Sequence, residues 1–255
     1  MQKAIDTFLE YTNSYVSLSN DSHDVYNITL KIDHTFRVMD LCEEIAKSLN
    51  LTKEDIAIAK LCGLLHDIGR FEQWSRYKTF ADSKSIDHGD FGANLLKEKK
   101  FMRKFNNDEK IDDLIIKVVK NHNKYKLEEG LTERESLFSN IVRDADKIDI
   151  LYLYTIKNIL IDTGTDSFSN EVFTCLKNHK LVDRNLKKTK ADTLAISLAF
   201  TFDMNYKKTF EILRDRSYLD KEIDIYINKT TNQKLKEQLN ELRSIINNYI
   251  DRRCL

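Results

Sequence analysis

Proline is absent from the 255 residues, and glycine occurs only six times. Proline costs about 3 kcal/mol and glycine about 1 kcal/mol inside a helix, so their scarcity removes the commonest interruptions to long helices. Strand-like alternation of apolar and polar residues is missing too. Leu, Ile, Lys, Glu and Ala recur instead at three-to-four spacing, the period of a helix with one buried face. The reading is all-α. Helices are expected at about 2–17, 30–49, 53–67, 86–99, 108–121, 132–161, 169–178, 190–202, 205–215, 218–228 and 232–250. Thr52-x-x-Asp55 and Thr132-x-x-Glu135 have the form of capping boxes and open two of them.

An excess of one charge is also lacking: Lys plus Arg and Asp plus Glu balance at 41 each. A long nucleic acid or an acidic membrane surface therefore gains no support as a partner, and an anionic substrate must be met by a local cluster. The longest apolar stretch, Leu194 to Phe202, is far too short to span a bilayer. The opening MQKAIDTFLE has no apolar signal-peptide core, so the expected location is the cytoplasm. Cys42, Cys62, Cys175 and Cys254 form no closely spaced pair, which argues against a zinc knuckle or a CxxC redox centre. Cys42 and Cys62 fall on apolar faces and read as packing residues.

Hydrophobic residues at 41% are enough for a globular core. The polar segment DTGTDSFSN, residues 162–170, is the one plausible boundary. It would divide a core at 1–161 from a C-terminal helical extension at 162–255 packed on it, or lie within a single domain. The final helix, 232–250, is amphipathic and charged, suited to a lid, a brace or a homodimer contact.

Only six histidines are present, and their positions are informative. His34 shares a helical face with Val38, Leu41 and Ile45, and His66 follows Ile58 and Cys62. His88 precedes Gly92, Leu95 and Leu96, while His122 follows Ile115 and Val118. Asp146 shares its face with Phe138, Val142, Ile150 and Leu153. One inward histidine is usually a hydrogen-bonded core residue. An inward carboxylate is harder to accommodate, because burying it unpaired costs several kcal/mol. A metal centre where the helices meet explains all five residues together. His66 and Asp67 are neighbours, about 100° apart on a helix, and reach one centre most easily at a helix end. Gly69, in LCGLLHDIGR, is read as supplying that end.

The order His34, His66-Asp67 and Asp146 resembles the H…HD…D signature of the HD superfamily, helical metal-dependent phosphohydrolases. The contexts HTFRV, HDIGR and DADKID match as well, across about residues 28–160. His88, in DHGDFGANLL, and His122, in KNHNK, resemble the subgroup with six ligands and two metals. The resemblance implies an HD-domain helical bundle with His34, His66, Asp67 and Asp146 around one ion. His88 and His122 would hold a second ion, with Asp67 bridging. Asp144 and Asp149 rival Asp146 and are read as surface or supporting groups. The implied cofactors are two divalent transition metal ions, Mn, Fe or Zn, between which imidazole and carboxylate ligands do not choose. Such a centre lowers the pKa of bound water from 15.7 to roughly 7 and neutralises phosphoryl charge, so Asp67 is also read as catalytic.

Phosphate recognition calls for cations near the ligands. Arg70 comes three residues after Asp67, where some family members carry a phosphate-contacting Lys; Lys124 follows His122 by two, and Lys147 adjoins Asp146. Arg37 is a further supporting candidate. The segment Arg70–Ser85, read as a loop over the site, carries Phe71, Trp74, Tyr77 and Phe80. These aromatics would either stack a nucleobase or pack the loop. The GYP element of cyclic-di-GMP phosphodiesterases is absent. The expected activity is hydrolysis of a phosphate ester of a small nucleotide. A diiron oxygenase on the same scaffold, or a nucleotide-sensing protein with an idle metal site, are the alternatives.

Overall fold

Side-chain caps start several of the helices. Thr52 Oγ1 accepts the Asp55 amide at 3.1 Å. Thr132 Oγ1 accepts the Glu135 amide at 3.2 Å while Glu135 Oε2 accepts the Thr132 amide at 2.8 Å, a complete capping box. The computed structural model describes residues 1–19, 21–159 and 161–255. In chain order its α-helices are α1 (Gln2–Ser17), α2 (Ser22–Ser48), α3 (Lys53–Leu65), α4 (Gly69–Tyr77), α5 (His88–Lys97), α6 (Lys99–Phe105), α7 (Asp112–Asn121), α8 (Glu133–Thr155), α9 (Asn170–Lys177), α10 (Asp192–Ala199), α11 (Lys207–Arg216), α12 (Tyr218–Lys229) and α13 (Gln233–Cys254). No strand occurs among the described residues, and the all-α reading holds.

Three expectations need correction. Helix α2 begins at Ser22, not near residue 30, because Asp21 caps it by accepting the His23 amide at 2.9 Å. The segment read as a loop from Arg70 is helical through Tyr77. Helix α6 was not anticipated; its seven residues are too few to display a period. Residue 160, inside the helix expected at 132–161, lies outside the described residues.

The chain forms two compact units, Met1–Ala145 and Asp146–Leu255, and the passage between them falls within α8. In the first unit, α3 is the central element. Ile58, Ala59 and the run Leu61–Leu65 are buried. Each buried leucine or isoleucine contributes roughly 1.5–3 kcal/mol. Gly63 is required where α2 crosses: a Cβ there would stand 3.0 Å from Met39 Cα and 2.9 Å from Cys42 Sγ. That close approach brings the His34 turn of α2 beside the end of α3. Cys42 and Cys62 are buried free thiols, as expected, and burial pushes the Cys62 thiol up to about 12.

In the second unit, α13 buries Leu235, Gln238, Leu239, Leu242, Ile246 and Ile250 on one face against α9, α11 and α12. It is a brace of that unit. Gln238 spans to the backbone of Phe168, accepting its amide at 2.9 Å and donating to its carbonyl at 3.1 Å. Among the described residues no helix is long and apolar enough to cross a membrane.

Candidate metal centre

Helix α3 ends at Leu65, and the turn His66–Ile68 leads directly into α4. Gly69 therefore opens α4 and does not serve as a stop; its φ is not left-handed. Its role is steric. A Cβ at Gly69 would lie 2.6 Å from the His88 carbonyl oxygen and 2.9 Å from the Gly92 amide nitrogen. The missing side chain lets the starts of α4 and α5 touch, which carries His88 to Asp67. Gly69→Ala should force these helices apart at a cost of about 1–3 kcal/mol. Thermal melting should show the loss, and metal titration should weaken more at His88 and His122 than at His34 and His66.

Asp67 is the centre of the arrangement. Its Oδ2 lies 3.5 Å from His34 Nε2 and 3.6 Å from His66 Nε2. Its Oδ1 lies 3.2 Å from His88 Nε2 and 3.6 Å from His122 Nε2. All five residues are buried. They make two potential metal-holding groups, His34–His66–Asp67 and Asp67–His88–His122, which share the one carboxylate.

Ring orientation is what distinguishes this cluster from satisfied core histidines. His66 Nδ1 donates to the Gly63 carbonyl at 2.7 Å, and His122 Nδ1 donates to the Val119 carbonyl at 2.6 Å. His88 Nδ1 donates to the Asp82 carboxylate at 2.7 Å. Acceptors on the outside fix a proton on Nδ1 of these three rings and turn Nε2 inward. Yet His88 Nε2 and His122 Nε2 face each other at 2.9 Å, and His34 Nε2 and His66 Nε2 at 3.3 Å. Burial, together with the Arg70 charge, lowers His88 to about 4, so its ring is neutral near pH 7. Close pairs of ring nitrogens around a carboxylate fit cations. Imidazoles that turn Nε2 towards a shared acid, three of them anchored from behind, are the donor set a divalent transition metal takes.

Positive side chains already compensate Asp67. Lys31 Nζ sits 2.8 Å from its Oδ2, and Arg70 Nε donates to Oδ1 at 3.3 Å. Burial alone would raise this carboxyl, but Lys31, His66 and Arg70 outweigh it and hold Asp67 well below the usual range. Lys31 was not singled out from sequence. The available signal was its place three residues before His34, on the same face of α2.

The family model for the HD domain matches residues 32–151. The chain carries an HD domain. A 74-residue stretch is 43% identical to part of the CRISPR system single-strand-specific deoxyribonuclease Cas10/Csm1 (subtype III-A) of Methanocaldococcus jannaschii. The stretch is 28% of this chain and only 9% of that nuclease. HD domains belong to a superfamily of metal-dependent phosphohydrolases and bind divalent metals.

Other expected residues of the HD domain fall as follows. Arg70 spends its guanidinium on the chain itself: besides Asp67, its Nη1 donates to Gln73 Oε1, the Phe80 carbonyl and Asp82 Oδ1 at 2.8, 2.6 and 3.0 Å. Lys124 donates to Asp87 and Asp90 at 3.0 and 2.8 Å. Lys147, in the second unit, is buried and pairs with the Asp203 carboxylate. On α8, Asp144 and Asp149 are buried and Asp146 partly so, because this helix is enclosed on nearly all sides and shows no single inward face. Arg37 is half-buried on α2. Arg143, not anticipated, donates from α8 to the carbonyls of Asn121, His122 and Lys124, which fixes the end of α7 that carries His122.

The aromatic segment resolves into two roles. Phe71 is buried edge-on against Phe8 and Tyr11, and buried Trp74 donates from Nε1 to Asp24 at 2.9 Å. These two are packing. Phe80 is half-buried, with Lys31 Nζ and the Arg70 guanidinium 5.4 and 5.8 Å from its ring centre. Tyr77 is exposed.

Proposed function

We propose that this chain is a binuclear phosphohydrolase acting on a phosphate ester of a small nucleotide. The observation that carries the reading is Asp67, shared between two histidine pairs whose Nε2 atoms face its carboxylate and each other. His34 and His66 would hold one ion and His88 and His122 the other, with Asp67 shared by both. Divalent ions held there supply Lewis acidity and bring the pKa of water from 15.7 towards roughly 7.

The chain's own groups set the rest. Lys31 and Arg70 keep Asp67 ionised and place positive charge beside the centre. Phe80, with both cations over its ring, is the proposed rest for a base. Arg70, held in position by Asp82 and Gln73, and Lys124 are the proposed cations that favour a phosphorylated substrate. Single-stranded DNA is a second candidate substrate, favoured by the similarity to part of a nuclease that is specific for it. The balanced charge favours the small substrate, because a long polyanion needs a broad basic face.

The test is turnover by Mn-loaded protein under strict exclusion of oxygen, offered a panel of mononucleotides and short DNA strands in labelled water. The expected result is phosphate ester cleavage, with the label in one of the products. Activity confined to the iron-loaded protein, and stopped when oxygen is removed, would transfer the case to the oxygenase.

A further inference from the structure

The rings of His66 and His122 are anchored to backbone carbonyls, which no side-chain substitution removes. His88 is held differently. Its Nδ1 faces both oxygens of Asp82, at 2.9 Å from Oδ1 and 2.7 Å from Oδ2. Asp82 lies outside the α-helices, in a short 3-10 turn between α4 and α5, so it needs fixing of its own.

Donors from several elements provide that fixing. Arg70 Nη1 and Gln73 Nε2, both on α4, donate to Asp82 Oδ1 at 3.0 and 2.9 Å. Asn123, just past α7, donates to Asp82 Oδ2 at 3.3 Å. Gln73 is fully buried, and its amide also donates to Ser85 Oγ at 2.8 Å and the Ile86 carbonyl at 2.9 Å. A buried amide with these bonds is rigid, and it pins the turn that carries Asp82. Arg70 completes a circuit, because the same guanidinium touches Asp67 Oδ1 and Asp82 Oδ1.

We propose that Asp82 is a positioning residue, braced by Gln73 and Arg70, that locks His88 with its Nε2 towards Asp67 and His122. It thereby sets the affinity of the second metal position separately from the first. The inference rests on the metal-centre reading above. A carboxylate behind a ligating imidazole fixes its tautomer and orientation, and its loss costs about 10–100-fold in metal affinity. Among the described contacts Asp82 meets His88 and neither His34 nor His66, so the His34–His66 position should be spared.

Two readouts test this on the full chain. In metal-free protein, long-range proton–nitrogen NMR of the His88 ring should show the Nδ1–H tautomer in the wild type. Asp82→Asn, which keeps an acceptor oxygen, should preserve it, and Asp82→Ala should lose it. Calorimetric titration with Mn should then show one position weakened about 10–100-fold in Asp82→Ala, with the other nearly unchanged and the Asn variant in between. Unchanged tautomer and unchanged affinities in Asp82→Ala would overturn the proposal. So would equal loss of both positions in Asp82→Ala and Asp82→Asn with a matching fall in melting temperature, since that marks a merely structural role. If the wild type takes up no Mn while Asp82→Ala still shifts the tautomer, the metal-centre reading fails and the positioning of His88 stands.

Discussion

Asp67→Ala should empty both metal positions at once and reduce turnover by about a thousandfold or more, the equivalent of several kcal/mol of lost transition-state stabilisation. The expectation follows from one carboxylate facing two ways. Oδ2 addresses His34 and His66, and Oδ1 addresses His88 and His122. His122→Ala, by contrast, removes a ligand from only one group and should leave the His34–His66 position occupied. Asp67→Ala also strips Lys31 and Arg70 of their shared anion, so some loss of fold stability will accompany it. A double variant, Asp67→Ala with Lys31→Met, separates the effects. It should recover part of the melting temperature and none of the metal. Retention of either ion by Asp67→Ala would contradict the bridging role.

The second large effect lies far along the chain, at Glu222. This residue on α12 is fully buried; Ser197 donates to its Oε1 at 2.7 Å, and its Oε2 is buried without a hydrogen-bond partner. Burial raises its carboxyl to about 8, against which the Ser197 bond is a small opposing effect. The folded state therefore keeps a proton that the unfolded chain releases near the ordinary value of 4.5. Stability from the protonated acid is complete below about 4.5 and is lost as pH rises through 8. Across that window the loss is on the order of 4 kcal/mol. Glu222→Gln imitates the protonated acid and should be free of it. Melting temperatures of the two proteins should agree near pH 4.5 and diverge in favour of the Gln variant up to about pH 8.5. Parallel curves across the range would show that Glu222 titrates normally.

Much of the centre was legible because its residues contradict their surroundings. Four histidines and Asp146 on apolar stripes demanded an explanation, and the four histidines do come together, around Asp67, the neighbour of His66. What sequence concealed was the support. Lys31 looks like any surface lysine until α2 is laid beside the His66–Asp67 turn. Asp82, Gln73 and Asn123 matter through contacts between separate elements, which no local period encodes. Arg70 was noticed for its place beside Asp67, but its internal partners Gln73, Phe80 and Asp82 became visible only when α4 replaced the expected loop. Gly69 was misassigned for a related reason: glycine marks helix ends often, and a helix–helix contact leaves no trace in a single sequence.

Chelated protein should be titrated with Mn while phosphate release from the best nucleotide substrate is followed without oxygen. Activity should be negligible at the start and should rise until it levels off near about two equivalents per chain, as a two-ion centre requires. Full activity in the chelated protein, before any metal is added, would contradict it.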